Sequence, residues 1–455
     1  MRRTGSRRER AAARSCCSPG TGTMSDLLPH AVEVTVDEAG PDEVVWLRAG
    51  AVELGAVPAL GGRILALRLA GHETLYRNDA LLDERLHRRA DHGPAPDGTM
   101  ATWRNYGGDK TWPAPQGWDG PGQWAGPPDA VLDSGPYTWT VAEHGGRARL
   151  TMSSAADPRS GLTIRRLVDV VDGSTTVTIT HRLINTGPHP VRWAPWNVLQ
   201  LPGPVAGTGD GWYAGVDDSP VPIRGLLAGT GLPSWALADG VVHVTGQDVV
   251  GKLAVPGASG WLATVSGGHL VTQHFAVDPA GRYPDGGARA EVWLECPQER
   301  GIESLGGLRP TARILESEVL GPLVDLAPGE HTDLIVRLSV LRCGAPPRRV
   351  TPGGVVLRHL HAARTGHGLQ LTGAFATFTD GTVRCRLLGS DGAPIADRPV
   401  TAAVAGGELA LDVRTEDHPD AAAVELAVVR PGSPDAVLDT AVISPPPVGS
   451  GRISS

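Results

Sequence analysis

From Val32 onward, apolar and polar positions alternate in short runs, VEVTV, then EVVWLRAG, then AVELGAVPALGGRILALRLAGHETLY, each closed by Gly or Pro. A period of two over four to eight residues, bounded by turn formers, predicts antiparallel strands with one buried face. Within GGRILALRLAGHE, Ile64, Ala66 and the leucines interleave with Arg63 and Arg68, so Arg63 points either at a site or at water. One stretch predicts a helix: Asn78 as N-cap, then DALLDERLHRR with early acids and late bases that suit the helix dipole. Farther on, PYTWTVAEHG, ARLTMSSAAD, LTIRRLVDVVDG and TTVTITHRLINTG come at nearly regular spacing, as in a large β-sandwich. In VRWAPWNVLQLPGP a Pro interrupts a strand, as at edges or bulges. Strands continue to about Leu341, and RCGAPPRRVTPGG (342–354) reads as a linker. Residues 355–443 alternate again and suit a small immunoglobulin-like sandwich, with residues 444–455 a disordered tail.

Composition supports many turns and little helix, with 60 Gly and 39 Pro in 455 residues. The net charge of -8 comes without a charged block in the body of the chain, so neither nucleic acid nor an anionic membrane surface is an implied partner. No apolar run reaches the roughly 18 residues of a membrane span. Five scattered Cys make neither a disulfide framework nor zinc-ligand pairs, and a reducing cytoplasm fits them best. His359, His361 and His367 form a weak ligand set. No nucleophile elbow, phosphate loop or metal spacing is present, so no cofactor is expected. The first 23 residues lack an apolar segment and read as a disordered extension ahead of a start at Met24, giving a first domain of 24–341.

Candidate chemistry concentrates in WRNYGGDKTWPAPQGWDGPGQW (103–124), an ordered loop or strand end rich in Trp, Gly and Pro. Flat rings that cover the C–H faces of a sugar, beside the charged pair Asp109 and Lys110, are what a pocket for a polyhydroxylated ligand needs; a Trp-rich mini-core is the plainer alternative. Only two Lys occur, Lys110 and Lys252, in a chain that otherwise uses Arg, which suggests that a compact point charge is wanted at each. Glu316 and Glu318 stand two apart on a strand, hence on one face, where each raises the other's pKa toward a value useful in a base. His274 in VTQHFAV is the candidate acid, with Lys110 as its alternative, and a satisfied core His is the competing identity for His274.

GGRILALRLAGHETLY, NYGGDKTWPAPQ, VRWAPWNVLQLPGP, GKLAVPGASGWLATV and RILESEVLGPLVDLAPGE together resemble an uncharacterised bacterial group of galactose-mutarotase-like proteins in the aldose 1-epimerase superfamily. The resemblance covers about residues 30–341. It implies an all-β fold, a large antiparallel supersandwich whose concave face binds a sugar, followed here by the small C-terminal sandwich. It also implies Glu316 as the catalytic carboxylate. Arg63, Asn105, Asp109, Lys110, Trp112, Gln116, Trp196, Asn197 and Lys252 are the expected substrate contacts. Where mutarotases carry a His in an Asn-His motif, the equivalent APWNVLQL carries Trp196 and Asn197 and no His. Three readings stay open: an epimerase acting on a sugar, a carbohydrate-binding protein without catalysis, and, on Tyr106, a polysaccharide lyase. The sequence does not indicate an oligomeric state.

Overall fold

The computed structural model describes residues 32–90, 100–117, 126, 129–217 and 223–445. The expected disordered extension, Trp118, Trp124 and nearly all of the C-terminal tail lie outside these residues. The period-two runs become three sheets, of 12, 10 and 8 strands. Helix among the described residues amounts to the single turn Pro284–Gly287 and two 3-10 turns.

The first two sheets lie face to face over one large apolar core, which takes Leu47, Leu54 and Ile64 from one side and Leu150, Ile179 and Leu262 from the other. The middle of the 12-stranded sheet runs Asp109–Ala114, Val191–Pro202, Ile314–Leu320, Ala290–Glu295 and Gly251–Val255, all as antiparallel neighbours. Strand register fixes which side chains share a face. Trp112 stands opposite Trp196, Lys110 opposite Val198, and Gln200 opposite Glu316. Glu316 in turn stands opposite Trp293, Glu318 opposite Glu291, and Lys252 opposite Trp293. Cross-strand partners point the same way, so these residues form one outer face, turned away from the second sheet.

The alternate residues point inward and carry polar groups through the core. Arg166 of the second sheet donates to the Asp109 carboxylate, and so does Asn197. Gln273, also from the second sheet, reaches Asn197 at 2.8 Å and Ser317, while Thr111 bonds His181 at 2.6 Å. Each group has a partner across the sandwich, as burial requires.

The 8-stranded sheet spans Arg349–Thr351 and the strands from Gly354 to Ser444, with its own core around Leu371, Phe375, Val383 and Leu426. A further cluster joins it to the second sheet: Tyr213, Trp261, Leu270 and Leu341 pack with Val350, Val355 and Phe378. Cys343 is buried in that cluster too, so the Pro-rich connection is packed over part of its length.

One sequence expectation is corrected. Residues 79–90 are turns and an isolated bridge between Leu82 and Arg88, without a helix. Asn78 accepts from Ala80 N in a tight turn, Asp83 from Arg85 N, and Leu86 takes φ of 73°. Asn and Asp side chains compete with the helical ladder in this way. Leu82 and Leu86 are buried under the first sheet instead of forming an amphipathic stripe.

Candidate functional site

On the outer face of the 12-stranded sheet, four strands supply Glu291, Glu295, Glu316, Glu318, Lys110 and Lys252, packed among Trp112, Trp196 and Trp293. Both lysines of the chain are here, in unlike surroundings. Lys252 Nζ lies 3.0 Å from Glu291 and 2.8 Å from Glu318, over the Trp196 ring at 4.6 Å. Burial opposes its charge, but the two carboxylates outweigh burial and hold its pKa above the ordinary lysine value. Lys110 Nζ has one ion-pair partner, Glu316, at 3.6 Å, and no hydrogen bond among the described residues. Two rings flank it, Trp112 at 4.0 Å and Trp103 at 5.1 Å. Burial, with Arg63 adding like charge, pulls its pKa below the ordinary value against the pull of Glu316, Asp133 and Glu318.

The carboxylates respond in the opposite sense. Burial pushes Glu318 up to about 7, with Glu316 adding repulsion while Lys252 and Trp196 oppose it. Glu295 is likewise pushed up to about 7 by burial and by Glu316. Glu291 is driven well above the ordinary carboxyl range by burial, in spite of Lys252.

Indole N–H groups hold the rings in place. Trp196 donates to Glu318 at 2.8 Å and Trp293 to Glu295 at 3.2 Å. Trp103 and Trp112 each donate to one oxygen of Asp133 at 3.0 Å, and Arg63 pairs with the same carboxylate at 2.6 Å. Gln200 donates to Glu316. Beside this face lies a cleft of about 350 Å³, lined by Tyr76, Trp103, Asn105, Glu295, Arg309 and Ile314 among others. That volume is at the small end of ligand pockets, about 300 to 1,000 Å³.

The structure therefore brings together Lys110, Trp112, Trp196, Lys252 and Glu316, with Asn105 on the adjoining cleft. Others expected at the site stand elsewhere. Asp109 and Asn197 face the interior, because successive side chains on a strand take opposite sides. Asp109 therefore binds Arg166 and not a ligand. Arg63 is fully buried and clamps Asp133, so it positions two Trp rings. Gln116 lies beyond the strand end and donates to Gly126 O at 2.7 Å.

His274 is corrected as the acid partner of Glu316. Gln273 points into the sandwich, so His274 points out of the second sheet beside Arg337, with the whole sandwich between it and Glu316. Missing from the sequence expectations were Glu291 and Glu295, which the acid-aromatic-acid alternation of EVWLE carries on one face, and Asp133, whereas Trp103 was expected only as the first ring of the Trp-rich stretch.

Residues 43–338 match the family described as a domain of unknown function (DUF4380), and the chain belongs to that family. No curated protein matches it. Among solved structures it is similar to a galactose mutarotase-like protein from Clostridium acetobutylicum at 9% identity and TM-score 0.44, covering 69% of this chain and 99% of that one. Another such protein, from Lactobacillus casei, matches at 11% identity and TM-score 0.41, covering 65% of this chain and 99% of that one. A TPR-domain containing protein from Parabacteroides distasonis matches at 14% identity and TM-score 0.43, over 67% of this chain and 48% of that longer one.

Proposed function

We propose that this protein binds a carbohydrate in the cleft beside the outer face of its 12-stranded sheet and exchanges the sugar's anomers there. One observation supports the reading most directly: a cleft of monosaccharide scale has an aromatic wall of Tyr76 and Trp103, a carboxyl group at Glu295, and Asn105 beside them. Rings of this kind cover the apolar faces of a sugar, and the carboxyl and amide groups take its hydroxyls. Anomer exchange needs a base for the anomeric hydroxyl and an acid for the ring oxygen. Glu316 serves as base, and Glu295, protonated up to about 7, replaces His274 as the acid. A second reading, binding without turnover, draws support from the position of His274 on the far sheet, which leaves the site without the imidazole of the mutarotases it resembles.

A panel of monosaccharides, sugar phosphates and oligosaccharides tested by thermal shift checks the binding. A true ligand at a hundred times its dissociation constant adds about 2.7 kcal/mol of stability. If no carbohydrate raises the melting temperature, the reading fails. For a ligand that binds, polarimetry of anomer exchange should show turnover in the parent chain and none in Glu316→Gln, with binding retained. An unchanged rate in the variant leaves the binding protein and removes the enzyme.

A further inference from the structure

We propose that Lys110 is a covalent site, whose amine condenses with the carbonyl carbon of an open-chain sugar to form an imine. The inference rests on the carbohydrate reading above and extends it to the substrate form bound: an aldose or ketose with its carbonyl free.

The two lysines provide an internal contrast. Lys252 is held by two carboxylates within 3.0 Å, and its charge serves to balance theirs. Lys110 has one carboxylate oxygen at 3.6 Å, two indole faces, and no hydrogen bond among the described residues. The rings and Glu316 favour the ammonium form, but without a hydrogen-bond acceptor among the described residues it is poorly solvated. Burial, with the like charge of Arg63, outweighs them and draws the pKa down toward the neutral amine, which is the nucleophilic form. A guanidinium could supply charge at this position but could not lose its proton or attack a carbonyl, and a chain that uses Arg almost everywhere keeps Lys here. Ligand access is from the side of Glu316, which keeps 12% side-chain exposure, and of Trp103, which is half-buried and also lines the cleft.

The step balances within the site. The Nζ lone pair forms the new bond to the carbonyl carbon, and the carbonyl π electrons move to oxygen. Loss of water from the resulting carbinolamine forms the C=N bond. Both hydrogens of that water come from Nζ, and Glu316 carries one of them from nitrogen to the departing oxygen. Ring opening by Glu316 and Glu295 supplies the free carbonyl.

Two lysines in the whole chain make the test direct. The full protein is incubated at about pH 7 with glycolaldehyde, or with the sugars of the thermal-shift panel, in the presence of sodium cyanoborohydride, and the adducts are located by peptide mass analysis. On exposure alone Lys252 should react first, since its side chain is 7% exposed and that of Lys110 is 1% exposed. The expected result is the reverse, with Lys110 modified at least roughly tenfold faster, because each pKa unit between two amines is about a factor of ten in free base. Lys110→Arg should abolish this adduct and leave Lys252 unmodified. Equal or faster modification of Lys252, or labelling confined to the α-amino group, overturns the proposal, and the parent chain alone decides this even if the variant does not fold. A sugar that raises the melting temperature without any adduct at Lys110 overturns the covalent step and keeps the binding site. An adduct at Lys110 from glycolaldehyde, with no sugar stabilising the chain, supports the reactive amine and removes the carbohydrate reading.

Discussion

Glu295 is held where burial and the neighbouring Glu316 both oppose its charge, so its pKa rises from 4.5 to about 7 on folding. The folded value lies above the unfolded one, so the fold favours the protonated carboxyl. The stability this contributes is complete below about pH 4.5 and lost as pH climbs through about 7. It amounts to about 3 kcal/mol, at 1.36 kcal/mol per unit. Glu295→Gln cannot titrate, so the loss of stability between about pH 5 and 8 should be smaller in the variant by about that amount. Denaturant melts of both chains at the two pH values measure it, and parallel profiles would refute the assignment. Glu318 should leave a residual slope in the variant, since it too is pushed up to about 7. The sequence displayed Glu316 and Glu318 as a same-face pair, but it did not show that Glu291 and Glu295 join them. That requires Ala290–Glu295 to be the neighbour of Ile314–Leu320, which is long-range pairing that no local pattern encodes.

At the scale of one element, Asp109–Ala114 is the strand on which the sequence reading and the structure differ most. Two glycines before it and Pro113 within it suggested an ordered loop or a strand end, in which Asp109 and Lys110 could act together. It is a six-residue strand, with Pro113 opposite Pro195, and its alternation separates the two charges onto opposite faces of the sheet. Asp109 thus belongs to the sandwich interior with Arg166, both essentially unexposed. Removing one member leaves the other charge buried without a partner, which costs about 3 to 5 kcal/mol. Asp109→Leu should therefore lower the denaturation midpoint sharply, and adding Arg166→Met should recover much of the loss. If the double variant is no more stable than the single one, the ion pair is not what Asp109 contributes. By contrast, Trp112, Trp196 and Lys110 share the other face and are nearly fully buried there. The sequence reading grouped them with the inward pair Asp109 and Asn197, because the Gly and Pro around 109–114 masked the strand alternation that separates the two sets.

Across the whole molecule, the all-β class was legible throughout, because alternation survives in nearly every run from Val32 to the last strand. The junction of the 8-stranded sheet with the second sheet was not, since Pro and Gly in 342–354 gave no sign that Cys343 and Val350 pack against Tyr213 and Trp261. Backbone bonds reinforce this contact, from Thr175 N to Phe378 O at 2.8 Å and from Arg342 N to Gly406 O at 2.9 Å. A chain ended at Leu341 should melt several degrees lower than the full chain, as it exposes this cluster, each large apolar side chain being worth about 1.5 to 3 kcal/mol when buried. Equal melting temperatures would show that the junction adds no stability. The family match stops at residue 338, before the third sheet begins, so the site lies wholly within the matched region.

Sheet order also governs when the site comes into being during folding. Gln200 and Glu316 meet across 116 positions of chain, and Trp196 and Glu318 across 122. Closing segments of that length is slow, and no fragment short of the full set of central strands carries both lysines and all four carboxylates. A chain emerging from the ribosome thus reaches Ile314–Leu320 before its acidic face can close, so the candidate site takes shape only after most of the chain has been synthesised.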